Sequence, residues 1–437
     1  MPKSMKSFFL VLLQATLCLL ISHAQAAVNI QHWQTASGAE VYFLENHDLP
    51  MMDLSVTFPA GSAHDTAATS GLAGVTRYMM SLGADGMNEE AITNGFADIG
   101  AVLGGELDVD RAALKLRTIT SERDKALNLF TKILHKPDFP DAVLAREKTR
   151  IISGLKESAT QPESIGNKAF MKALYPNHPY GLDENGEEAT IVAMKREDLT
   201  MFYQTHYVAK SAVIAMIGDL NLAEAQKIAE TIATGLPQGA AVLPIAPVAI
   251  PTAPNVQAIA HPASQAHIML GYPGIKRGDA DYFALYVGNY ILGGGGFVSR
   301  LTEEVREKRG LVYSVYSYFM PMGELGPFQI GLQTKKEQAD EAVKVVDQTL
   351  AKFMQNGVTE KELKAAKSNI IGGFPMRIDS NGKILDYLSL IGFYKLPMTY
   401  LDDFNKSVAK VTTKQIKDAF NRRIKPQDFV RVTVGAE

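Results

Sequence analysis

Residues near the middle of the chain recur near its end at one fixed separation, and this repetition constrains the fold more than any other feature. Leu199, Tyr203, Tyr207, Val213 and Gly218 return as Ile416, Phe420, Ile424, Val430 and Gly435, each 217 positions later. The first three have helical spacing, and the rest bound an alternating strand that ends in glycine. Upstream, Ile151, Ile152 and Gly154 return as Ile370, Ile371 and Gly373 at an offset of 219. Two compatible offsets predict a duplicated unit whose halves share one topology. The joint is legible too: residues 235–255 carry prolines at 237, 244, 247, 251 and 254, which forbids regular helix and favours extended chain.

Strand-like segments at 41–44, 54–58 and 267–272 precede helical patterns such as 125–134 and 340–356. Strands and helices mix without strict alternation, which predicts an α+β fold of two repeated domains rather than a doubly wound parallel sheet. We place the domains at 27–236 and 256–437, joined by a proline-rich linker at 237–255.

Residues 1–26 read as a signal peptide, with Lys3 and Lys6 before an apolar run at 8–21 and the small-x-small site Ala24-Gln25-Ala26. The run is shorter than the ~20 residues that span a bilayer and contains Gln14 and Thr16, so export with cleavage is expected over membrane insertion. The expected location is the periplasm. Cys18, the one cysteine, lies inside this leader, so the mature chain would have no disulfide, thiolate nucleophile or cysteine-bound zinc. A formal charge of -3 without runs of like charge gives no reason to expect nucleic acid as a partner.

The familiar catalytic signatures are missing, among them G-x-S-x-G, Walker A, H-E-x-x-H and the dinucleotide fingerprint. No two histidines stand four apart on a plausible helix, although His261 and His267 flank a probable strand start. Gly293, Gly294, Gly295 and Gly296 lack the residues that make a phosphate loop specific. They read either as a flexible loop beside a binding cleft or as a helix-ending turn.

Residues 289–317, NYILGGGGFVSRLTEEVREKRGLVYSVYS, resemble the second-domain signature of the pitrilysin/insulinase-type (inverzincin) metallopeptidases. The first half shows FPAGSAHD at 58–65 and SGLAGVTRYMMSLGADGMN at 70–88, where active relatives carry the inverted zinc motif H-x-x-E-H. The resemblance spans the whole mature chain and implies two homologous domains of the mitochondrial-processing-peptidase/LuxS-like fold, each a mainly antiparallel sheet with helices packed on it. It also places the motif at Gly74, Arg77 and Tyr78, and the distant glutamate ligand at Gly154. Glycine has no donor, tyrosine is a poor zinc ligand at neutral pH, and arginine is permanently cationic. Every primary role is vacant, so no catalytic residue and no metal is expected in this chain.

Arg306 and Tyr313 match the R-x6-Y pair that, in such peptidases, holds substrate near the zinc of the opposite half. The resemblance therefore implies a substrate-binding subunit, similar to those of bacterial processing-peptidase-like heterodimers. Arg306, Tyr313 and the glycines at 293–296 would contact peptides, while a partner of similar length supplies H-x-x-E-H and zinc. On the residues alone, Arg306 reads as a surface arginine and Tyr313 as a core strand residue. Two other readings stand: a peptide-binding or scaffold protein with no part in proteolysis, and a peptidase acting alone through an unrecognised site.

Overall fold

The computed structural model describes residues 29–436, so the expected signal peptide at 1–26 and Cys18 lie outside the described residues. The first half supplies β1 (Gln31–Gln34), β2 (Glu40–Glu45), β3 (Met51–Phe58), the small hairpin β4 (Gly83–Ala84) and β5 (Met87–Asn88), β6 (Val102–Leu107), β7 (Ala112–Ile119) and β8 (Val213–Gly218). Six of these form one sheet in the order β1-β2-β8-β3-β7-β6. The second half supplies β9 (Asn255–Ala260), β10 (Gln265–Ile275), β11 (Val312–Phe319), β12 (Gly326–Lys335) and β13 (Val430–Ala436), in the order β11-β12-β10-β13-β9.

Taken from its other edge, the second sheet runs β9-β13-β10-β12-β11 and repeats β2-β8-β3-β7-β6 strand for strand. In each half the last strand inserts between the first two long ones, parallel to one and antiparallel to the other. Register follows suit: Leu54 sits between Met216 and Leu116, and Leu270 between Arg431 and Ile330. The duplication read from the 217-residue offset is therefore a duplication of topology, and β1 is an extra strand at one rim.

Among the helices, those that build the seam and the site are α1 (Leu72–Met79), α2 (Asp141–Ser158), α3 (Pro162–Leu174), α4 (Arg196–His206), α5 (Tyr282–Asn289), α6 (Glu360–Gly373), α7 (Asn381–Phe393) and α8 (Thr413–Arg423). Two of them cross over. Helix α7 of the second half lies on β8, β3 and β2 of the first sheet, and α3 of the first half lies on β13 and β10 of the second. They are equivalent helices, 219 residues apart, so the exchange is reciprocal.

The exchange explains why β8 is apolar throughout. Ile214 and Met216 face the core of their own half, while Val213, Ala215 and Ile217 face a core that includes Leu385, Leu388 and Ile391 of α7. A strand covered on both faces needs a continuous hydrophobic run instead of an alternating one. Glycine permits the close approach: a Cβ on Gly392 would lie 2.7 Å from Tyr42, and one on Gly166 2.7 Å from Met269.

Residues 237–252 form neither helix nor strand. This segment is fastened all the same, with Val248 buried beside Phe170, Met269 and Val432, and the His178 ring 2.8 Å from the Ala246 carbonyl. The seam between halves is further tied at Asp110, a buried carboxylate. It accepts hydrogen bonds from the Tyr180 and Tyr394 hydroxyls, each at 2.7 Å, and from the Gly323 N–H at 2.7 Å. Three donors on one buried acid make a fixed joint, because leaving any of them unpaired away from water costs about 1–3 kcal/mol. Among the described residues, no helix is long and apolar enough to cross a membrane.

Candidate functional site

Helix α1 begins at Gly71, whose φ of +92° is open to glycine and strained for other residues. The Asp65 carboxylate receives the free N–H groups of Gly71 and Ala73 at 2.9 and 3.0 Å, and burial pushes this acid up to about 7. Leu72, Ala73, Val75, Thr76 and Met79 bury the helix against the core. That orientation turns Gly74 and Tyr78, one turn apart, toward a cavity of about 250 Å³ closed by Leu107, Arg150, Ile151 and Glu184.

No side chain on this face offers a metal its ligands. Gly74 presents backbone only, and Tyr78 lies under the Arg150 guanidinium, 5.0 Å from the ring centre. Arg150 is itself steadied by Glu147 at 2.6 Å. Gly154 lies one turn beyond Arg150 on α2 and has nothing within 4 Å of where a Cβ would be. Burial, with Asp183 and Asp108 nearby, holds the Glu184 carboxyl above its usual range. Among the described residues, no group of three or more His, Cys, Asp or Glu converges to hold a metal. This donor set does not fit a zinc ion, and a cation sits beside the position where one would lie.

Arg77 departs furthest from the pattern of active relatives. Its side chain runs inward, with Nε donating to the Ala113 carbonyl at 2.6 Å and Nη2 to the Gly104 carbonyl at 3.0 Å. Burial depresses its pKa from the ordinary arginine value, yet the fork stays charged because two strand carbonyls receive it. The guanidinium occupies the space above Gly105, where any Cβ would overlap it. The Gly104–Gly105 pair inside a strand was the sequence signal for such a close approach, and its partner could not be read from the chain.

In the second half, α5 continues through a π-helical turn at Tyr290–Gly294 into the glycine run. Three of these glycines are packed. A Cβ on Gly293 would strike Ser317, one on Gly294 would lie 2.7 Å from Asn289, and one on Gly295 would lie 2.6 Å from the Tyr290 carbonyl. Gly296 alone of the four has positive φ, at +62°, with open space around it. Beyond it Phe297 and Val298 project into solvent at 71% and 74% exposure.

Arg306 reaches back over this loop, its guanidinium carbon 5.0 Å from the Phe297 ring centre. Tyr313 stands where the register of β11 slips between Val312 and Ser314, and the bulge turns its side chain outward to 64% exposure. It is not a core strand residue. Because β11 is a sheet edge, the glycine loop, Arg306 and Tyr313 adjoin a strand whose outer side is unpaired. The vacant motif positions belong to the other half, beside β6, the equivalent edge of the first sheet.

Comparison with known proteins agrees with this anatomy. Residues 41–184 match the family described as insulinase (peptidase family M16), and residues 193–370 match the peptidase M16 inactive domain. A solved structure described as a peptidase M16 inactive domain, from Pseudomonas fluorescens, is 39% identical with a TM-score of 0.90, covering 94% of this chain and 98% of that one. A Helicobacter pylori protein named non-peptidase homolog YmxG is 26% identical over 404 residues, 90% of this chain and 91% of its own. The periplasmic protease PqqL of Escherichia coli shares the fold, with a TM-score of 0.80 at 13% identity, and this chain covers 46% of its length. The chain belongs to the insulinase, or M16, peptidase family.

Proposed function

We propose that this protein is the zinc-free, substrate-binding subunit of an exported, periplasmic two-chain zinc peptidase. The observation that carries the reading is Arg77, a guanidinium bound to two strand carbonyls at the place where active relatives need a general base. A cation anchored there cannot activate water and opposes a divalent metal nearby. The chain also covers about half of the longer protease PqqL, as one half of a two-half enzyme would.

In this reading the partner supplies H-x-x-E-H and the zinc ion. This chain supplies Arg306 and Tyr313 beside the free edge of β11, where an extended peptide adds as a further strand. The guanidinium donates to a substrate carbonyl, and the exposed phenol donates toward the oxyanion that develops at the scissile bond. The Helicobacter relative's name, non-peptidase homolog, supports the absence of independent activity.

Kinetics of the mixed complex test the assignment. Tyr313→Phe removes one hydroxyl from an exposed side chain and should lower kcat on the order of 10²-fold with little change in KM. Arg306→Ala should raise KM as well, since it removes a contact made in the ground state. Unchanged kinetics in an intact complex would reduce both residues to surface positions and leave a peptide-binding scaffold as the better reading.

A further inference from the structure

A second cavity, about 280 Å³, opens in the second half at the far end of α5 from the glycine loop. Its walls are Tyr282 and Phe283 from the start of α5 and Leu396, Pro397 and Tyr400 from the segment after α7. Gly278, at φ +75°, turns the chain over Leu396 so that Arg277 also lines the space.

Arg277 is the unusual member. Its main-chain N–H is engaged by the Met322 carbonyl at 2.8 Å, and its guanidinium carbon lies 5.4 Å from the Tyr394 ring centre. Its Nε is buried without a hydrogen-bond partner. The acids of the same cavity are already matched: Asp279 receives Arg423 at 2.8 Å, and Asp403 receives Lys406 at 3.0 Å. The Arg277 guanidinium, stacked on Tyr394, therefore keeps an unused donor at the wall of an aromatic pocket.

We propose that this cavity binds the α-carboxylate of an apolar amino-acid residue, presented as a peptide C-terminus or as the free amino acid. A planar monoanion suits the guanidinium fork. Asp279 and Asp403, paired as they are, leave a residual negative field in the lining that weighs twice as heavily on a dianion such as phosphate as on a monoanion. The rings and the Leu396–Pro397 wall suit an apolar side chain, and a volume just under the ~300 Å³ of the smallest ordinary ligand pockets admits one or two residues. The site needs neither zinc nor partner, so it stands independently of the subunit reading.

The test is calorimetric titration of the purified protein with N-acetyl-phenylalanine, its amide, free phenylalanine and inorganic phosphate. The acid should bind at one site, with the amide and the Arg277→Gln variant at least about ten-fold weaker, as expected for loss of a charge-assisted pair. Leu396→Trp should fill the cavity and abolish binding while the protein still melts cooperatively near the wild-type temperature, which guards against misfolding of the arginine variant. Binding of acetylated and free forms alike points to the free amino acid as an adequate ligand, and binding of the acetylated form alone to a peptide end. Equal binding of acid and amide, preference for phosphate, binding that survives Leu396→Trp, or no binding by either acid would overturn the proposal.

Discussion

Arg77 and Gly105 form a pair in which each residue makes sense only with the other. Removing the guanidinium strands two strand carbonyls, and adding a Cβ at 105 expels it. Arg77→Leu should therefore cost about 2–4 kcal/mol and Gly105→Ala a similar amount in urea denaturation. The double variant should cost clearly less than their sum, because the clash is gone once the guanidinium is gone. Strict additivity would show that the two do not share one space. A second residue-scale test concerns His64 and His206, whose rings lie 4.7 Å apart. His64 Nε2 and His206 Nδ1 are buried without partners, and burial pushes both rings down to about 4. The unfolded chain takes up these protons near 6.5 and the folded one near 4, so their stability is whole above pH 6.5 and is lost as pH falls toward 4. Asp65, held at about 7, acts with opposite sign in the same window, since there the folded state protonates first. The informative quantity is thus the difference between wild type and His64→Phe, in which Asp65 cancels. Between pH 7 and 5 the wild type should lose on the order of 1 kcal/mol more than the variant. Parallel profiles would contradict the burial of a neutral ring.

At the scale of elements, glycine has two opposite meanings in helices of this protein. Gly154 on α2 has open space around it, so Gly154→Ala should stabilise by roughly 0.5–1 kcal/mol through helix propensity alone. Gly392 on α7 faces Tyr42 and Val213 at distances no side chain tolerates, so the same change there should destabilise by about 1–3 kcal/mol. Thermal melts of the two variants decide it, and shifts of the same sign would remove the close-packing account of α7. This contrast also marks how far the sequence could be read. Periodicity located β2, β3 and β10, and the repeat of Leu199 to Gly218 as Ile416 to Gly435 captured the duplicated helix–strand unit. It could not show that α3 and α7 change places, because a hydrophobic stripe reports which face is buried and not which sheet covers it. The same limit applies at the site. The vacancies at Gly74, Tyr78 and Gly154 were legible from residue chemistry, whereas the inward course of Arg77, the Arg150–Tyr78 stack and the bulge that turns Tyr313 outward depend on tertiary neighbours.

Across the whole molecule, the exchanged helices, the Val248 segment and the Asp110 joint make the two halves one body. The vacant motif beside β6 and the half-buried Arg306 with the exposed Tyr313 beside β11 occupy equivalent edges of the two repeated sheets. Under the proposed function, the β11 edge holds substrate and a relative that has kept H-x-x-E-H supplies the metal-holding edge. In that reading catalysis requires both chains and the metal belongs to the other. Its most direct test is metal analysis and peptide hydrolysis on this protein purified without chelator, alone and after equimolar mixing with an exported H-x-x-E-H homologue from the same organism. On that reading the chain alone should hold no stoichiometric zinc and hydrolyse nothing, and the mixture should show chelator-sensitive hydrolysis well above that of the homologue by itself. One tightly held zinc per chain, removed by chelator together with an activity this protein shows unaided, would contradict it.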